Sequence, residues 1–136
     1  MKKISILILA ALLLSACANQ ERNQFQEKLA ARLATDPDLK DYNLDPEEVA
    51  ECVTSQIAKT LPGFRGTPAR KPYWEAYLAF ESARNSDEAL AAVRQYKDVF
   101  GSEQKASAAA MNITQYIMAC MGKLIESAHP ITKPES

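Results

Sequence analysis

The sequence predicts an all-α domain, and three observations support this prediction. Apolar residues recur at spacings of three and four along most of the chain, as on one face of a helix. No segment sustains the apolar–polar alternation of a strand, and β-branched residues are sparse. We predict a small helical bundle of four main helices, with a further helix on their N-terminal side.

The N-terminal helix is predicted over residues 19–34, where Phe25, Leu29 and Leu33 are spaced by four. This spacing gives a narrow apolar stripe on an otherwise polar helix. Such a helix either docks on the domain or forms a stalk that holds the domain away from a membrane, and the sequence leaves both arrangements open. Residues 35–44 are predicted to be a turn-rich connection.

The first main helix is predicted to begin at Asp45, a residue that can cap free amides, followed by Pro46 in the first turn. Glutamates at 47 and 48 favour the positive end of the helix dipole. The helical spacing places Cys52 on the buried face, and Pro62 and Gly63 end the helix. The apolar positions are Val49, Cys52, Val53, Ile57 and Leu61.

Pro72 is predicted to open the second main helix, which has an aromatic-rich face made by Tyr73, Trp74, Tyr77, Leu78 and Phe80. A break and a new cap follow at residues 85–88. The third main helix is predicted to continue to Gly101, a suitable C-terminal cap. Its apolar positions are Leu90, Val93, Tyr96 or Lys97, and Phe100.

Ser102 is predicted to cap the last and longest helix. Its buried stripe is predicted to consist of Ala106, Ala109, Ala110, Ile113, Ile117, Cys120 and Leu124. We expect Met111, Met118 and Met121 to fill the core, although methionine is also adaptable at binding surfaces. Residues 129–136, which include two prolines, are predicted to be a disordered tail.

The start of the chain has the layout of a signal peptide, with two lysines before an apolar run over residues 4–16. That run is shorter than the roughly 20 residues that a helix needs to cross a bilayer. Residues 14–17, Leu-Ser-Ala-Cys, resemble the lipobox of bacterial lipoproteins. The resemblance implies removal of residues 1–16 and lipidation of Cys17, whereas the alternative is an ordinary signal with a chance cysteine.

The resemblance to bacterial lipoproteins also implies a location. In that class an Asp directly after the lipidated Cys often means retention in the inner membrane, but here Ala18 and Asn19 follow. The resemblance therefore implies transport to the outer membrane. We expect the protein to face the periplasm, with exposure on the cell surface as the alternative. Its anchor would be formed by acyl chains, palmitate among them, and more than one chain makes such anchoring stable.

Composition places the mature chain among single-domain proteins. Removal of the first 16 of 136 residues leaves 120, which we divide into a lipidated N-terminus over 17–44, a helical domain over 45–128 and the tail. The signal takes two of the 16 Lys and Arg residues, so 14 remain against 17 Asp and Glu and the net charge is −3. Nucleic acid is therefore not an expected partner, because such proteins usually carry a basic excess.

Two cysteines remain once Cys17 is lipidated, namely Cys52 and Cys120. The periplasm is oxidising, and both residues are predicted on the buried faces of different helices, as an inter-helix disulfide requires. A bridge would contribute about 4 kcal/mol in the chain-entropy description. Free thiols or a redox pair are the alternatives, but no Cys-x-x-Cys spacing favours redox chemistry.

The segment 61–72 is unusual because it is rich in proline, glycine and basic residues and has aromatic residues beside it. As a recognition loop it would offer arginine forks for carboxylate or phosphate and aromatic rings for packing. The alternative is a connector whose aromatic residues belong to the core. The candidate binding residues are Phe64, Arg65, Arg70, Lys71, Tyr73 and Trp74.

The acidic run over residues 36–51 does not fit a calcium-binding EF-hand loop. Counted from Asp36, the loop would place Lys40 where an oxygen ligand belongs and Asp41 where a glycine belongs. Helix capping and a solvated face explain the run better. The only histidine, His129, lies in the tail, so we expect no metal site, no cofactor and no catalytic residue set.

These observations favour a non-enzymatic, lipid-anchored module that binds another envelope protein. Such a protein would serve envelope assembly or act as an immunity or exclusion factor. The second hypothesis is a domain that binds a small ligand or lipid in an apolar cavity between the aromatic helix, over residues 73–80, and the last helix. An enzyme is the third and least favoured hypothesis.

Overall fold

A computed structural model describes residues 19–128 of the chain. Of these, 81% are helical and none lies in a strand, which confirms the predicted all-α fold. The signal peptide, Cys17 and residues 129–136 with His129 lie outside the described residues, so the predictions made for them stay predictions.

Seven α-helices follow one another within residues 19–128. They are α1 (Gln20–Leu33), α2 (Pro37–Asp41), α3 (Pro46–Thr60), α4 (Lys71–Ser82), α5 (Ser86–Gln95), α6 (Lys97–Phe100) and α7 (Glu103–Ala128), with a 3₁₀ turn at Pro68–Arg70 before α4. Helices α1, α3, α4 and α7 form the bundle, and α5 and α6 pack against α4 and α7.

Helix α1 lies between α3 and α4 and is part of the core rather than a stalk. Its stripe of Phe25, Leu29 and Leu33 is fully buried. Ion pairs join the starts of α1 and α4 through Glu21 and Lys71, and Arg32 on the last turn of α1 pairs with Glu81. Helices α1 and α4 therefore run side by side in the same direction.

An aromatic cluster fills the space between α1, α4 and the α5–α6 segment. Phe25 of α1 lies 5.9 Å, centroid to centroid, from both Trp74 and Tyr77 of α4. Phe100 meets Tyr77 edge-on at 5.9 Å. These offset and edge-on contacts are the favoured geometries for aromatic pairs.

The predicted cysteine pair is brought together by α3 and α7. The Cα atoms of Cys52 and Cys120 are 5.9 Å apart, within the range for a disulfide, and the structure joins them. Cys120 is buried and Cys52 is half-buried. The link therefore fastens the middle of α3 to the second half of α7.

Three predicted helix starts show the expected side-chain caps. The carboxylate of Asp45 accepts a hydrogen bond from the amide of Glu47 at 2.8 Å, and this bond lowers the pKa of Asp45 below its ordinary value. Asn85 accepts from the amide of Glu88 at 2.9 Å, and Ser102 accepts from the amide of Lys105 at 3.1 Å.

The structure departs from the sequence-based expectation at three places. The connection over 35–44 contains the five-residue helix α2, capped by Asp36, because that carboxylate accepts from the amide of Asp38. The third main helix is divided at Tyr96, where the backbone leaves helical angles, and Leu90 on it is 48% exposed. The expectation that all three methionines of the last helix fill the core is wrong, as described below.

Candidate functional site

Arg70 is the buried centre of the loop between α3 and α4. Its Nε donates to the carbonyl of Pro62 at 3.1 Å, and its Nη2 donates to the carbonyls of Leu61 at 3.1 Å and Gly63 at 2.7 Å. These carbonyls follow the C-terminus of α3, where backbone oxygens lack helical partners. Arg70 therefore holds the loop in place, with only 8% of its surface exposed.

The tip of this loop presents Phe64 to solvent, with 83% of its surface exposed. The hydroxyl and the amide of Thr67 both donate to the carbonyl of Phe64, at 2.7 and 3.3 Å. Gly63 and Gly66 take positive φ angles of 76° and 73°, which glycine adopts without strain. The exposed ring thus sits on a loop tied by hydrogen bonds on both sides.

The other aromatic candidates belong to the core, as the connector hypothesis expects. Trp74 is buried against Phe25, and Tyr73 packs edge-on against Phe100 at 5.4 Å. Lys71 is exposed and lies 3.5 Å from Glu21 and 3.7 Å from Glu75. Of the six candidate residues, Phe64, Arg65 and Lys71 face solvent at this end of the molecule.

A basic cleft of about 370 Å³ opens between the start of α1, the loop and the start of α4. Three arginines and two asparagines line it, together with the largely buried Trp74. Its lining residues are Asn19, Arg22, Asn23, Ala58, Arg65, Gly66, Arg70 and Trp74.

The basic cleft has an unbalanced positive charge. Within residues 19–128, no carboxylate lines the cleft or lies within 4.0 Å of the guanidinium of Arg22, Arg65 or Arg70. The first turn of α1 adds the positive end of its dipole. The guanidinium group of Arg70 is held by loop carbonyls, so Arg22 and Arg65 are the arginines that can bind the carboxylate or phosphate oxygens of an anion.

Sequence reasoning found Arg65, Arg70 and Trp74 but missed Arg22 and Asn23. The latter two lie more than 40 positions earlier in the chain and join the cleft only because α1 docks against α3 and α4. No sequence pattern around Arg22 or Asn23 indicates that they line a cleft.

Helix α7 carries a second exposed surface, which we call the α7 face. Met111 and Met118 are 62% and 60% exposed and lie opposite the buried stripe that contains Ile113 and Ile117. From residue 106 to residue 122 the helix has no charged residue. The α7 face consists of Ala108, Met111, Gln115, Met118 and Gly122, all exposed.

The α7 face could have been found from its helical phase. Residues 111 and 118 are two turns apart and fall on the side of the helix away from residues 113, 117 and 120. Met121 does pack against the core and is half-buried. Beside this face, α5 and α7 border an open pocket of about 410 Å³ lined by Leu90, Val93, Glu103, Gln104 and Ser107.

A third depression, which we call the tyrosine groove, lies between α4 and α7 and measures about 280 Å³. Burial and the neighbouring Tyr116 raise the pKa of Tyr77 in this groove to about 12. Its lining residues are Thr60, Leu61, Pro62, Tyr73, Tyr77, Phe100, Lys105, Ala108, Ala109, Asn112 and Tyr116.

Residues 19–128 contain neither a membrane-spanning helix nor a cluster of metal-ligating side chains. No helix in this part of the chain has the length and apolar character needed to cross a membrane. In the same part, no three His, Cys, Asp or Glu side chains are grouped as metal ligands would be. Asp36 and Asp45 from the acidic run cap helices, as that interpretation of the run predicts.

Comparison with known proteins finds no matching family model, no similar curated protein and no similar solved structure.

Proposed function

We propose that this chain is an outer-membrane-anchored periplasmic lipoprotein that acts as a non-enzymatic protein-binding module. Its partner would be another envelope protein, in envelope assembly or in immunity or exclusion. The observation that carries the proposal is the α7 face, an exposed helix surface with two methionines and no charged residue over 17 positions.

Charged residues are depleted and methionine is enriched at the centres of protein interfaces, as on this face. The run from residue 108 to residue 122 is about 21 Å long, which suits an apolar helix laid along α7. The adjoining pocket beside Leu90 widens the surface that such a helix would cover.

Gly122 supports the same proposal. It lies inside a helix, and nothing lies within 4 Å of the position that a Cβ atom would take. A helical glycine costs roughly 0.5–1 kcal/mol relative to alanine, and the fold of this chain does not require one there. Glycine at this position would allow the backbone of a partner helix to approach α7 closely, which would explain why a side chain is absent.

Site-specific photocrosslinking in intact envelopes tests the protein partner. A photoreactive residue at Met111 or Met118 should form a covalent adduct of defined mass, whereas the same residue at exposed Lys28 on α1 should not. Met118→Glu should reduce the adduct at position 111 at least about tenfold, because a charge would be buried in an apolar interface. Absence of an adduct at both methionines, or equal adducts at Lys28, would contradict the proposal.

The anchor has a separate test. Mass spectrometry of the purified protein should show a chain that begins at Cys17 and carries acyl groups, and Cys17→Ser should abolish that modification. Fractionation should then place the wild-type protein with the outer membrane. A mature chain without acyl groups would overturn the anchor while leaving the α7 face to be judged by crosslinking.

The tyrosine groove favours a second candidate function, binding of a small ligand. It lies between α4 and α7, where this hypothesis expects a cavity, and hydroxyl and amide groups line it beside aromatic rings. Its volume of about 280 Å³ is just below the usual range for ligand sites. Native mass spectrometry should show a co-purified small molecule that Ala108→Trp displaces, and a bare wild-type protein would count against this candidate.

A further inference from the structure

The basic cleft lies at the end of the domain where the chain continues toward Cys17. Asn19 lines the cleft, and only Ala18 separates it from Cys17. Two residues span at most about 7 Å, even when fully extended. A lipid on Cys17 would therefore hold the cleft close to the headgroup layer of the membrane.

The basic side chains of the cleft are suited to bind the phosphate groups of the headgroup layer. Arg22 and Arg65 line the cleft beside the buried Arg70. Among residues 19–128 no carboxylate lines it, and one carboxylate oxygen each of Glu21 and Glu75 lies within 3.7 Å of Lys71. Arginine forks match phosphate oxygens in geometry and charge. Anionic lipids attract such basic groups when they are held at a membrane surface.

Phe64 gives an independent observation at the same end of the domain. Its ring is 83% exposed on a loop tied down by Thr67 and Arg70, and Arg65 follows it directly. An aromatic ring next to basic residues is typical of protein surfaces that contact the headgroup region. Residues 19–128 leave most of this ring exposed to water, whereas lipid headgroups would cover it.

We propose that this end of the domain rests on the membrane, that the basic cleft binds the phosphate group of an anionic phospholipid, and that Phe64 inserts between the headgroups. The inference rests on the proposed anchor at Cys17 and is independent of the protein partner at the α7 face. In this orientation the exposed loop contacts the lipid surface, and the α7 face remains accessible to a protein partner.

Trp74 provides the readout for the cleft, because it is the only tryptophan of the chain and lines the cleft wall. The mature lipoprotein is reconstituted in vesicles of phosphatidylcholine alone or with about 30% phosphatidylglycerol. We expect its Trp74 emission to change in the anionic vesicles. Arg22→Glu with Arg65→Glu should remove most of that change, and Lys28→Glu with Lys40→Glu, matched in charge but away from the cleft, should keep it.

Two outcomes would overturn the cleft assignment. In one, Trp74 emission is the same in both kinds of vesicle, or the Arg22 and Arg65 variants respond as the wild type does. In the other, millimolar inorganic phosphate produces the full change and anionic vesicles add nothing, which would identify a free anion as the ligand.

Insertion of Phe64 is tested with phospholipids brominated near the headgroup, which quench nearby tryptophans. In a chain whose own tryptophan is removed by Trp74→Phe, the introduced tryptophan of Phe64→Trp should be quenched strongly, and the control below is made in the same background. Tyr42→Trp is the matched control, because Tyr42 is also exposed but lies beyond the far end of α1, about 20 Å away along that helix. Equal quenching of the two variants would contradict the proposed orientation.

The mass of the N-terminal residue separates this inference from the anchor on which it rests. If Cys17 carries no acyl groups, the membrane-facing orientation falls together with the anchor. If Cys17 is acylated and Trp74 does not respond, only the assignment of the cleft and loop falls.

Discussion

Arg70 is a buried cation whose hydrogen-bond partners in the loop are all main-chain carbonyls. Lysine would keep the charge, but one ammonium group cannot reproduce the planar fork that reaches three carbonyls at once. We expect Arg70→Lys to lower the free energy of unfolding by about 2 kcal/mol, measured by urea denaturation. Arg65→Lys, at an exposed position of the same loop, should change it by less than about 0.5 kcal/mol. Equal effects of the two substitutions would show that Arg70 does not hold the loop.

Tyr77 should make the stability of the fold sensitive to alkaline pH. Its pKa is about 12 in the folded protein and close to 10 in an unfolded chain, so the unfolded state loses the proton first. The stabilisation is therefore complete below pH 10 and is lost as the pH rises toward 12, by about 3 kcal/mol in total.

The measurement for Tyr77 is urea unfolding at a series of pH values from 8 to about 12. Tyr77→Phe removes the ionisable group and should flatten that part of the dependence, while Tyr42→Phe at an exposed position should follow the wild type. If Tyr77→Phe loses stability as steeply as the wild type above pH 10, another group is responsible.

At the scale of single helices, the features predicted correctly are those that depend on residues close together in the sequence. Asp45, Asn85 and Ser102 cap helices through amides two or three residues away, and the buried stripe of α7 follows from its own periodicity. The exposure of Met111 and Met118 is also a matter of helical phase. It was missed because methionine was assigned to the core by residue type rather than by its position around the helix.

The sequence left the docking of α1 open because a narrow apolar stripe suits either a docked helix or a stalk. Phe25 is fully buried because Trp74 and Tyr77, about 50 residues later, provide its partners. Local periodicity contains no information about that pairing. For the same reason, no sequence pattern identifies Arg22 as part of the basic cleft.

Gly122 is expected to reduce the stability of helix α7. Gly122→Ala should raise the free energy of unfolding by about 1 kcal/mol, because alanine favours the helix and the added methyl group meets open space. In the same variant, photocrosslinking from Met118 should weaken, because the methyl group would hold a partner helix away. Urea denaturation checks the first effect and adduct yield the second.

Ala119→Gly on the same exposed side is the matched control for Gly122, since it should destabilise α7 by a similar amount. A Gly122→Ala variant that is more stable and crosslinks as well as the wild type would show that no close backbone approach occurs at this position.

Across the whole molecule, the disulfide was predictable whereas the cleft was predictable only in part. Cys52 and Cys120 each lie on the buried side of their own helix, so two local patterns together suggested one long-range contact. The basic cleft instead requires α1, the 61–67 loop and α4 to meet at one end of the bundle. Arg65 and Arg70 were found because their loop is unusual in composition, but the residues from α1 depend on packing alone.

The disulfide joins α3 to α7 across 68 sequence positions and should stabilise the domain mainly by restricting its unfolded state. The double substitution Cys52→Ala and Cys120→Ala is expected to lower the free energy of unfolding by about 4 kcal/mol. The fold should persist, because the buried stripe of α1 and the aromatic cluster do not depend on the link. Urea denaturation should also give a larger m-value for the double variant, since an unfolded chain without the cross-link exposes more surface. Addition of a reductant should shift the wild type to the same midpoint and leave the double variant unchanged. If the reductant has no effect on the wild-type midpoint or m-value, the cross-link does not restrict the unfolded chain.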